Sequence, residues 1–434
     1  MESSTDARVL VAGGGAAGMI AAIAAASEGA KVTLLEKTGR IGLKLQISGG
    51  GRCNVTNDEG DPRRLARMYP GNGRFLLNAL HAFTKDDFLA LLRRRGVETK
   101  VEPPYGKVFP TSDRSTDILD ALRAEMRDLG VEVRLNAAIT GVIVEGGQVA
   151  AVRIGAGEAL ACTAAVLCVG GKSMPKSGSS GDGYAIARAV GHTVTELFPS
   201  LVPLVVEGCR ALAGVALRDV EGVVFVDGKQ VDGPFRGDAL FTHIGLSGPI
   251  VLQLSRAASE GLRRKAAVEV RIAIRPGRAS EEVETELRAL LSARPAAQVA
   301  TVLAEWMPKA AVERFLADAG VDPLRTSSQL LREERRRLVE ALRAWRFPVT
   351  GWQSFEIAEV TAGGVDVREV DPKTFESRIV RGLFWAGEVL DVDGYVGGYN
   401  LQAAWSTGWC AGKGAANAAW SSARKGAGPR AGTP

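Results

Sequence analysis

The segment Gly13-Gly14-Gly15-Ala16-Ala17-Gly18 carries the spacing Gly13-x-Gly15-x-x-Gly18, and Glu36 stands 18 residues beyond its last glycine. That combination suits a dinucleotide. Gly13 permits a tight turn, Gly15 lets the backbone approach a pyrophosphate, and Gly18 lets a helix pack closely on a strand. Ala16 and Ala17 open that helix, whose free N–H groups and positive dipole end face the phosphates. Glu36 is placed to accept hydrogen bonds from an adenosine ribose, and an acid there disfavours a 2′-phosphate. Downstream, Lys37, Lys44 and the run Gly50-Gly51-Arg52-Cys53-Asn54 can continue along an extended ligand. They offer N–H groups and cations to a pyrophosphate and then to a flavin ring. Two side chains bring proton chemistry: Cys53 on that loop, and His243, one of three histidines, in Phe241-Thr242-His243-Ile244-Gly245. Each also has a structural reading, Cys53 as a small packed residue and His243 as a hydrogen-bonded one.

Strands and helices must position these groups. Val9-Leu10-Val11 is a short β-type run that breaks at the triple glycine; an Ala-rich helix follows, and Lys31–Glu36 reads as a second strand. The uncharged stretch Val9–Ala26 resembles a signal peptide or membrane span when taken alone, but three consecutive glycines and the following strand favour a buried strand-turn-helix. Near the other end, Leu383-Phe384-Trp385-Ala386 is a second short apolar strand leading into Gly387-Glu388 and a glycine-rich loop. A helix from about Asn400 follows, so Gly398, Tyr399, Asn400 and Leu401 aim a second helix N-terminus at the polar edge of a cofactor. Trp405 and Trp409, one turn apart, are expected to be core packing.

Composition sets outer bounds. The chain has 434 residues, 46% hydrophobic and 24% charged, which excludes a disordered chain and a multi-span membrane protein. Its 52 glycines exceed the usual share, and they concentrate in the loops just named, so they mark backbone sites and no linker. Five scattered cysteines without a CxxC or a Cys/His cluster predict neither disulfides nor a metal site, and fit a cytoplasmic protein. The net charge of +5 permits an acidic partner. Two basic clusters stand out: Arg93-Arg94-Arg95, and Arg332, Arg335, Arg336, Arg337, Arg343 and Arg346 around a helix whose apolar face is Leu331, Leu338, Leu342 and Trp345. The second cluster is read first as a solvated face interleaved with Glu333, Glu334 and Glu340, and second as a phosphate-binding face.

With those residues in view, the chain resembles the bacterial two-dinucleotide-fold flavoproteins known as NAD(P)/FAD-dependent oxidoreductases or aminoacetone oxidase family FAD-binding enzymes. The matching stretches include Val11–Gly18, Ile47–Asn57, Gly178–Tyr184, Leu240–Pro249, Ala358–Val365, Trp385–Gly394 and Gly397–Gln402. The resemblance covers residues 8–415. It implies an α/β, Rossmann-like two-dinucleotide-binding FAD domain that is discontinuous, with an inserted β-rich plus helical domain. The expected division is 8–192 and 351–420 for the FAD domain, 193–350 for the insert (193–278 β-rich, 279–350 helical), and a disordered tail at 421–434. It further implies non-covalent FAD, Ala138 beside the adenine, a backbone-contact turn at Gly170-Gly171, and Asp393 on the ribityl hydroxyls. NAD(P)H is expected only as a transient reductant, because no second nucleotide fingerprint is present.

The function these features favour is a cytoplasmic reductase of an activated C=C bond. The substrate is either a uridine of 23S ribosomal RNA, giving dihydrouridine, or a small-molecule enone. Cys53 or His243 would supply the proton. Oxidation of a small amine such as aminoacetone, and a non-catalytic flavin- and RNA-binding protein, are the alternatives. No metal and no membrane partner is expected.

Overall fold

The computed structural model describes residues 7–426, which divide into two compact units. The first unit runs up to Phe198 and resumes at Val360; the second is Pro199–Glu359.

The first unit is built on a five-stranded parallel sheet. Strand β1 (Arg8–Ala12) lies at its centre, flanked by β2 (Lys31–Leu35) and Ala164–Leu167, with Glu132–Arg134 and Leu383–Trp385 at the two edges. Val9, Leu10, Val11 and Ala12 are all buried, as expected for a strand covered on both faces. Helix α1 (Ala16–Ser27) lies against the long C-terminal helix, Tyr399–Gly426. Their contact is backbone to backbone: a Cβ on Gly408 would lie 2.3 Å from the Ala17 carbonyl oxygen, and one on Gly412 2.2 Å from that of Ala21. Only glycine permits this approach. Residues 383–385 and 399–426, separated from α1 in sequence by the whole insert, thus complete the sheet and its helical cover.

His192 fixes the Leu383–Trp385 edge strand from behind. It is 3% exposed, with Nδ1 3.1 Å from Glu369 Oε2 and Nε2 2.7 Å from Ser377 Oγ. The Trp385 indole N–H donates to the same Nε2 at 3.2 Å. Ser377 Oγ already accepts the N–H groups of Ile379 and Val380, so its own proton is directed at the imidazole. The network therefore assigns a neutral ring that donates from Nδ1 and accepts at Nε2. Burial pushes the His192 pKa below its ordinary 6.5, against the pull of Glu369. With the folded value depressed, the stabilisation is whole above pH 6.5 and is lost as pH falls toward the folded value. Thermal melts between about pH 8 and pH 5 should therefore show the wild type losing midpoint temperature relative to His192→Asn below pH 6.5. Parallel curves would exclude this group as the source.

The second unit is a closed six-stranded antiparallel barrel with helices packed on it. Its strands run in the order Leu204–Val206, Gly245–Ser247, Lys229–Phe241, Ala216–Val226, Val268–Ala273 and Trp345–Trp352. Phe241, Trp345 and Phe347 fill the core, with Trp345 and Phe347 centroids 4.8 Å apart and Phe315 edge-on to Trp345 at 5.3 Å.

Several expectations shift. The boundaries fall at 198/199 and 359/360, because Val194 and Thr195 pair with Val365 and Gly364. Trp345, expected on the helical face of the insert, instead opens a barrel strand. The helix Arg332–Arg343 ends at Ala344, and Trp345, Phe347 and Val349 then alternate inward with exposed Arg346, Pro348 and Thr350. That is period two, which the longer helical pattern before it masks in the sequence. The β-rich part also contains a full helix, Pro249–Arg263. The glycine-rich segment after Glu36 is not all loop, since Leu43–Ile47 forms a short helix and Ser48–Gly51 a 3-10 turn. Of the expected disordered tail, residues 421–426 continue the last helix, and 427–434 lie outside the described residues. Among the described residues no helix is long and apolar enough to cross a membrane, and no group of three or more His, Cys, Asp or Glu side chains could hold a metal. All five cysteines are unpaired and buried.

Candidate functional site

Three glycine loops of the first unit converge on the start of α1. Gly13 has φ +100, and a Cβ there would lie 2.3 Å from the Cys168 carbonyl oxygen. A Cβ on Gly18 would sit 1.8 Å from the Gly13 oxygen, whereas one on Gly15 would meet nothing within 4 Å. Gly13 and Gly18 are thus required by the protein itself, and Gly15 leaves open space at the helix N-terminus. Gly15 caps α1 without any side-chain hydrogen bond, so the first-turn N–H groups of Ala16, Ala17 and Gly18 have no intrahelical or capping acceptor. Glu36 is 9% exposed and braces this turn. Its carboxylate accepts from the Gly14 N–H at 2.8 Å and from the Thr38 N–H and hydroxyl, each at 2.8 Å. The Glu36 carbonyl accepts the Ala137 N–H at 2.8 Å, which brings Ala138 to the same end.

The returning segment closes the other side. Gly387 (φ +77) would place a Cβ 2.8 Å from that of Ala17. Beside it, Glu388 joins three loops: Lys44 Nζ lies 2.5 Å from Oε2, and Oε1 accepts from the Ser173 hydroxyl at 2.7 Å and the Thr361 N–H at 2.9 Å. Lys44 also donates to Ser173 Oγ at 2.8 Å. A side chain on Gly171 would collide with this knot, 2.5 Å from Thr361 Oγ1. Gly170 next to it has φ +73 and faces Ser179.

The third meeting joins the two most distinctive stretches of the sequence. Gly49, Gly50, Gly51 and Cys53 all have positive φ, a left-handed run that turns the chain from Ile47 back to Val55. Val55, Thr56 and Asn57 then lie along the start of the last helix. The Trp405 indole donates to the Val55 carbonyl at 2.9 Å, and Asn57 Nδ2 donates to the Gly397 carbonyl at 3.1 Å. A Cβ on Gly398 would lie 2.3 Å from the Thr56 oxygen. Asn400 brackets Gly394, accepting its N–H and donating to its carbonyl, both at 2.8 Å, and Asp393 beside it is 2% exposed. Tyr399 is buried, its carbonyl receiving the Tyr69 hydroxyl at 2.7 Å, and Leu401 is half-buried.

Other expected site residues have different occupations. Arg52 is held by Glu102 at 2.7 Å and Asp113 at 3.3 Å, and stacks 3.9 Å above the Phe109 ring. Lys37 pairs with Asp182 at 2.7 Å and donates to Ser180. Cys53 is fully buried, and burial pushes its thiol up to about 12, so it stays neutral at physiological pH. His243 belongs to the second unit and is exposed on the turn between its strands Lys229–Phe241 and Gly245–Ser247. Trp405 stacks on Phe88 in the core, and half-buried Trp409 stacks on Phe83 at its edge. The arginines of the Arg332–Arg343 helix are largely committed within the insert. Arg336 pairs with Glu333 and Glu340, Arg335 with Glu284, and Arg337 donates to the carbonyls of Ala319 and Gly320.

Sequence reasoning missed Ser173, Thr361 and Ser179. Thr361 and Ser179 lie inside the quoted stretches Ala358–Val365 and Gly178–Tyr184, which was the available signal. Ser179 Oγ and Asn54 Oδ1 are buried with no hydrogen-bond partner among the described residues. Buried orphan acceptors are unusual enough to call for an explanation. Together with the uncapped N–H groups of α1 and the open space at Gly15 and Gly50, they fit a long ligand that carries phosphates and polar ring edges.

Known proteins agree with this architecture. The chain is 36% identical over 406 residues to the ribosomal RNA dihydrouridine synthase of Escherichia coli, covering 92% of this chain and 96% of that protein. It is 35% identical over 415 residues to the 3-dehydro-bile acid delta(4,6)-reductase of Clostridium scindens, covering 94% and 99%. In fold it is similar to a 3-ketosteroid-Δ4-(5α)-dehydrogenase from Rhodococcus jostii, with a TM-score of 0.52 at 16% identity over 95% of this chain and 97% of the other. The HI0933-like protein Rossmann domain matches residues 7–414. On that extent of match, and with the sheet, the glycine turn and the inserted barrel in place, the chain belongs to the HI0933-like Rossmann-domain family.

Proposed function

We propose that this chain is an FAD-dependent oxidoreductase that reduces a C=C bond conjugated to a carbonyl, with a uridine of large-subunit ribosomal RNA as its substrate. The observation that carries the cofactor is the cradle at α1: a glycine N-cap with free N–H groups, open space at Gly15, and Glu36 at the tip of the neighbouring strand. The reaction class rests on the two relatives, one named as a ribosomal RNA dihydrouridine synthase and the other as a 3-dehydro-bile acid delta(4,6)-reductase. A small enone is the second reading, favoured by the near-equal identity to the bile-acid enzyme.

Bound FAD would supply the hydride chemistry, leaving orientation and one proton to the protein. The first-turn N–H groups of α1 would hold the diphosphate, and Glu36 has acceptor capacity left for ribose hydroxyls. Ser179 and Asn54 would each gain a partner. The Lys44–Glu388 pair keeps the two halves of the cradle in register and screens the carboxylate from the phosphates. Cys53 holds its thiol proton too tightly to give it up readily. His243, exposed on the second unit, is the other candidate donor. NAD(P)H would serve as a transient reductant in the cytoplasm.

The test is nucleoside analysis of ribosomal RNA from a deletion strain, with complementation by wild type, Cys53→Ala and His243→Asn. Loss of one dihydrouridine and its restoration by Cys53→Ala but not His243→Asn is the expected result. Unchanged dihydrouridine in the deletion removes the RNA substrate. Anaerobic reduction of the purified protein by NADH or NADPH, followed by oxidation with enones, then separates the second reading.

A further inference from the structure

Several arginines of the first unit stand without ion-pair partners, as Arg332, Arg343 and Arg346 of the insert also do among the described residues. Between Pro62 and Thr84 the chain contains no aspartate or glutamate, yet it carries Arg63, Arg64, Arg67 and Arg74. All four are exposed. Among the described residues, Arg63, Arg67 and Arg74 make no ion pair, and Arg64 has only a long 3.8 Å contact with Asp61. On the insert's arginine-rich helix, by contrast, Arg336 pairs with Glu333 and Glu340 of the same helix and Arg335 with Glu284 of a neighbouring one. An exposed run of unneutralised guanidinium groups is costly in self-repulsion and is the electrostatic footprint expected for a phosphate backbone.

The fold makes these arginines one surface. Asp61 caps the helix Pro62–Ala66 by accepting the Arg63 N–H, and Arg63 and Arg67 are four residues apart, on one side of that turn. Gly73 is pressed against it: a Cβ there would lie 1.9 Å from the Ala66 carbonyl oxygen. Arg74 is therefore held next to Arg67, across a contact only glycine allows.

The same segment is bolted to the site. The Met68 carbonyl accepts the Tyr395 N–H at 3.0 Å, Asn72 Nδ2 donates to the Asp391 carbonyl at 2.8 Å, and the Tyr69 hydroxyl reaches the Tyr399 carbonyl at 2.7 Å. Residues 391–398 are the loop that leads into the last helix, which opens at Tyr399, and borders the proposed cofactor cradle. Buried Tyr69 and its neighbours thus hold the inner side of the segment against that loop while its arginines face outward.

We infer that Arg63, Arg67 and Arg74, with Arg64 beside them, form a docking surface for the phosphate backbone of the RNA that presents the uridine. This rests on the proposed RNA reading and adds where the polymer is gripped. Phosphate contacts fix position without reading sequence, so the surface supplies affinity and register and leaves base choice to the reacting site. A free enone would not need it.

The experiment compares holoenzyme with an Arg63→Gln/Arg67→Gln/Arg74→Gln triple variant, using ribosomal RNA purified from the deletion strain as probe. Flavin content and the rate of reduction by NAD(P)H should match wild type, which shows that the fold and cradle are intact. Affinity for the RNA should fall about 10- to 100-fold near physiological salt, and the slope of log K against log salt should shrink by about 2 to 3. Dihydrouridine formation should fall at limiting RNA and recover at high RNA, a change in KM and not in kcat. Wild-type affinity and salt slope in the variant, with the wild type active on RNA, overturn the docking surface and leave the RNA reading standing. A wild type that neither binds this RNA nor modifies it overturns both.

Discussion

Gly18→Ala is expected to yield protein that elutes without flavin and unfolds well below the wild-type midpoint. The new methyl would sit 1.8 Å from the Gly13 carbonyl oxygen and 3.0 Å from its carbon, so the neighbour is backbone and cannot rotate away. Either the glycine turn opens or α1 lifts off β1, and both destroy the geometry that presents the first-turn N–H groups. Overpacking of this kind costs about 3 kcal/mol or more when nothing flexible can yield. Lost from cofactor binding alone, that amount would weaken affinity by about 100-fold. Gly15→Ala provides the contrast. Its Cβ would meet no protein atom within 4 Å, and its φ of −82 suits any residue. That variant should melt like the wild-type apoprotein while retaining less flavin, because its methyl occupies the space kept for the ligand. Full flavin content in Gly15→Ala would argue that the ligand does not pass there.

Trp405→Ala should lower the thermal midpoint of the first unit by roughly 8–15 °C, following from the about 3–5 kcal/mol usual for removing a buried tryptophan. The indole is 0% exposed and stacked on Phe88 with centroids 4.3 Å apart at 11°. Its N–H satisfies the Val55 carbonyl at 2.9 Å, so truncation leaves both a cavity and an orphaned acceptor. Val55 follows directly on the Gly49–Asn54 turn, so the damage should reach the cradle, and flavin retention should fall with stability. Trp405→Phe keeps the stack and loses only the hydrogen bond, and should cost about 1 kcal/mol. A scanning calorimetry series on the two variants distinguishes packing from the hydrogen bond. Equal losses in both would place the weight on the indole N–H.

What could be read from the sequence was whatever has a short-range signature. Gly13, Gly15, Gly18 and Glu36 declare themselves because strand, turn, helix and acid lie within 30 residues of one another. The returning strand and helix near Leu383 and Asn400 were legible for the same reason. Partnerships made across hundreds of residues were not. Nothing in the sequence ties Lys44 to Glu388 and Ser173, or Arg52 to Glu102, since each bond depends on a loop path set by packing elsewhere. Charge showed the same limit. The Arg335-Arg336-Arg337 run is conspicuous in the sequence, although glutamates one turn away or on a neighbouring helix neutralise much of it. The sparser Arg63, Arg67 and Arg74 stand out only in the structure, where among the described residues they make no ion pair. Trp345 was misplaced because a strong helical period masked the short alternation after it.

The glycine seam between α1 and the last helix has a consequence for how the protein is made. Gly408 and Gly412 meet Ala17 and Ala21, among the first residues of the described chain to be synthesised, and the edge strand Leu383–Trp385 is also translated late. A ribosome therefore releases β1, α1 and β2 long before the last helix and the edge strand Leu383–Trp385. The barrel unit between them, closed entirely by strands within residues 204–352, can fold first. During that interval the side of α1 at Ala17 and Ala21 stays uncovered and open to chaperones or to aggregation. Such long-range closure is slow, because loop entropy must be overcome before any contact rewards it. In the cell, yield should then depend on the speed of translation through residues 360–426 and on the supply of flavin at the moment the seam closes.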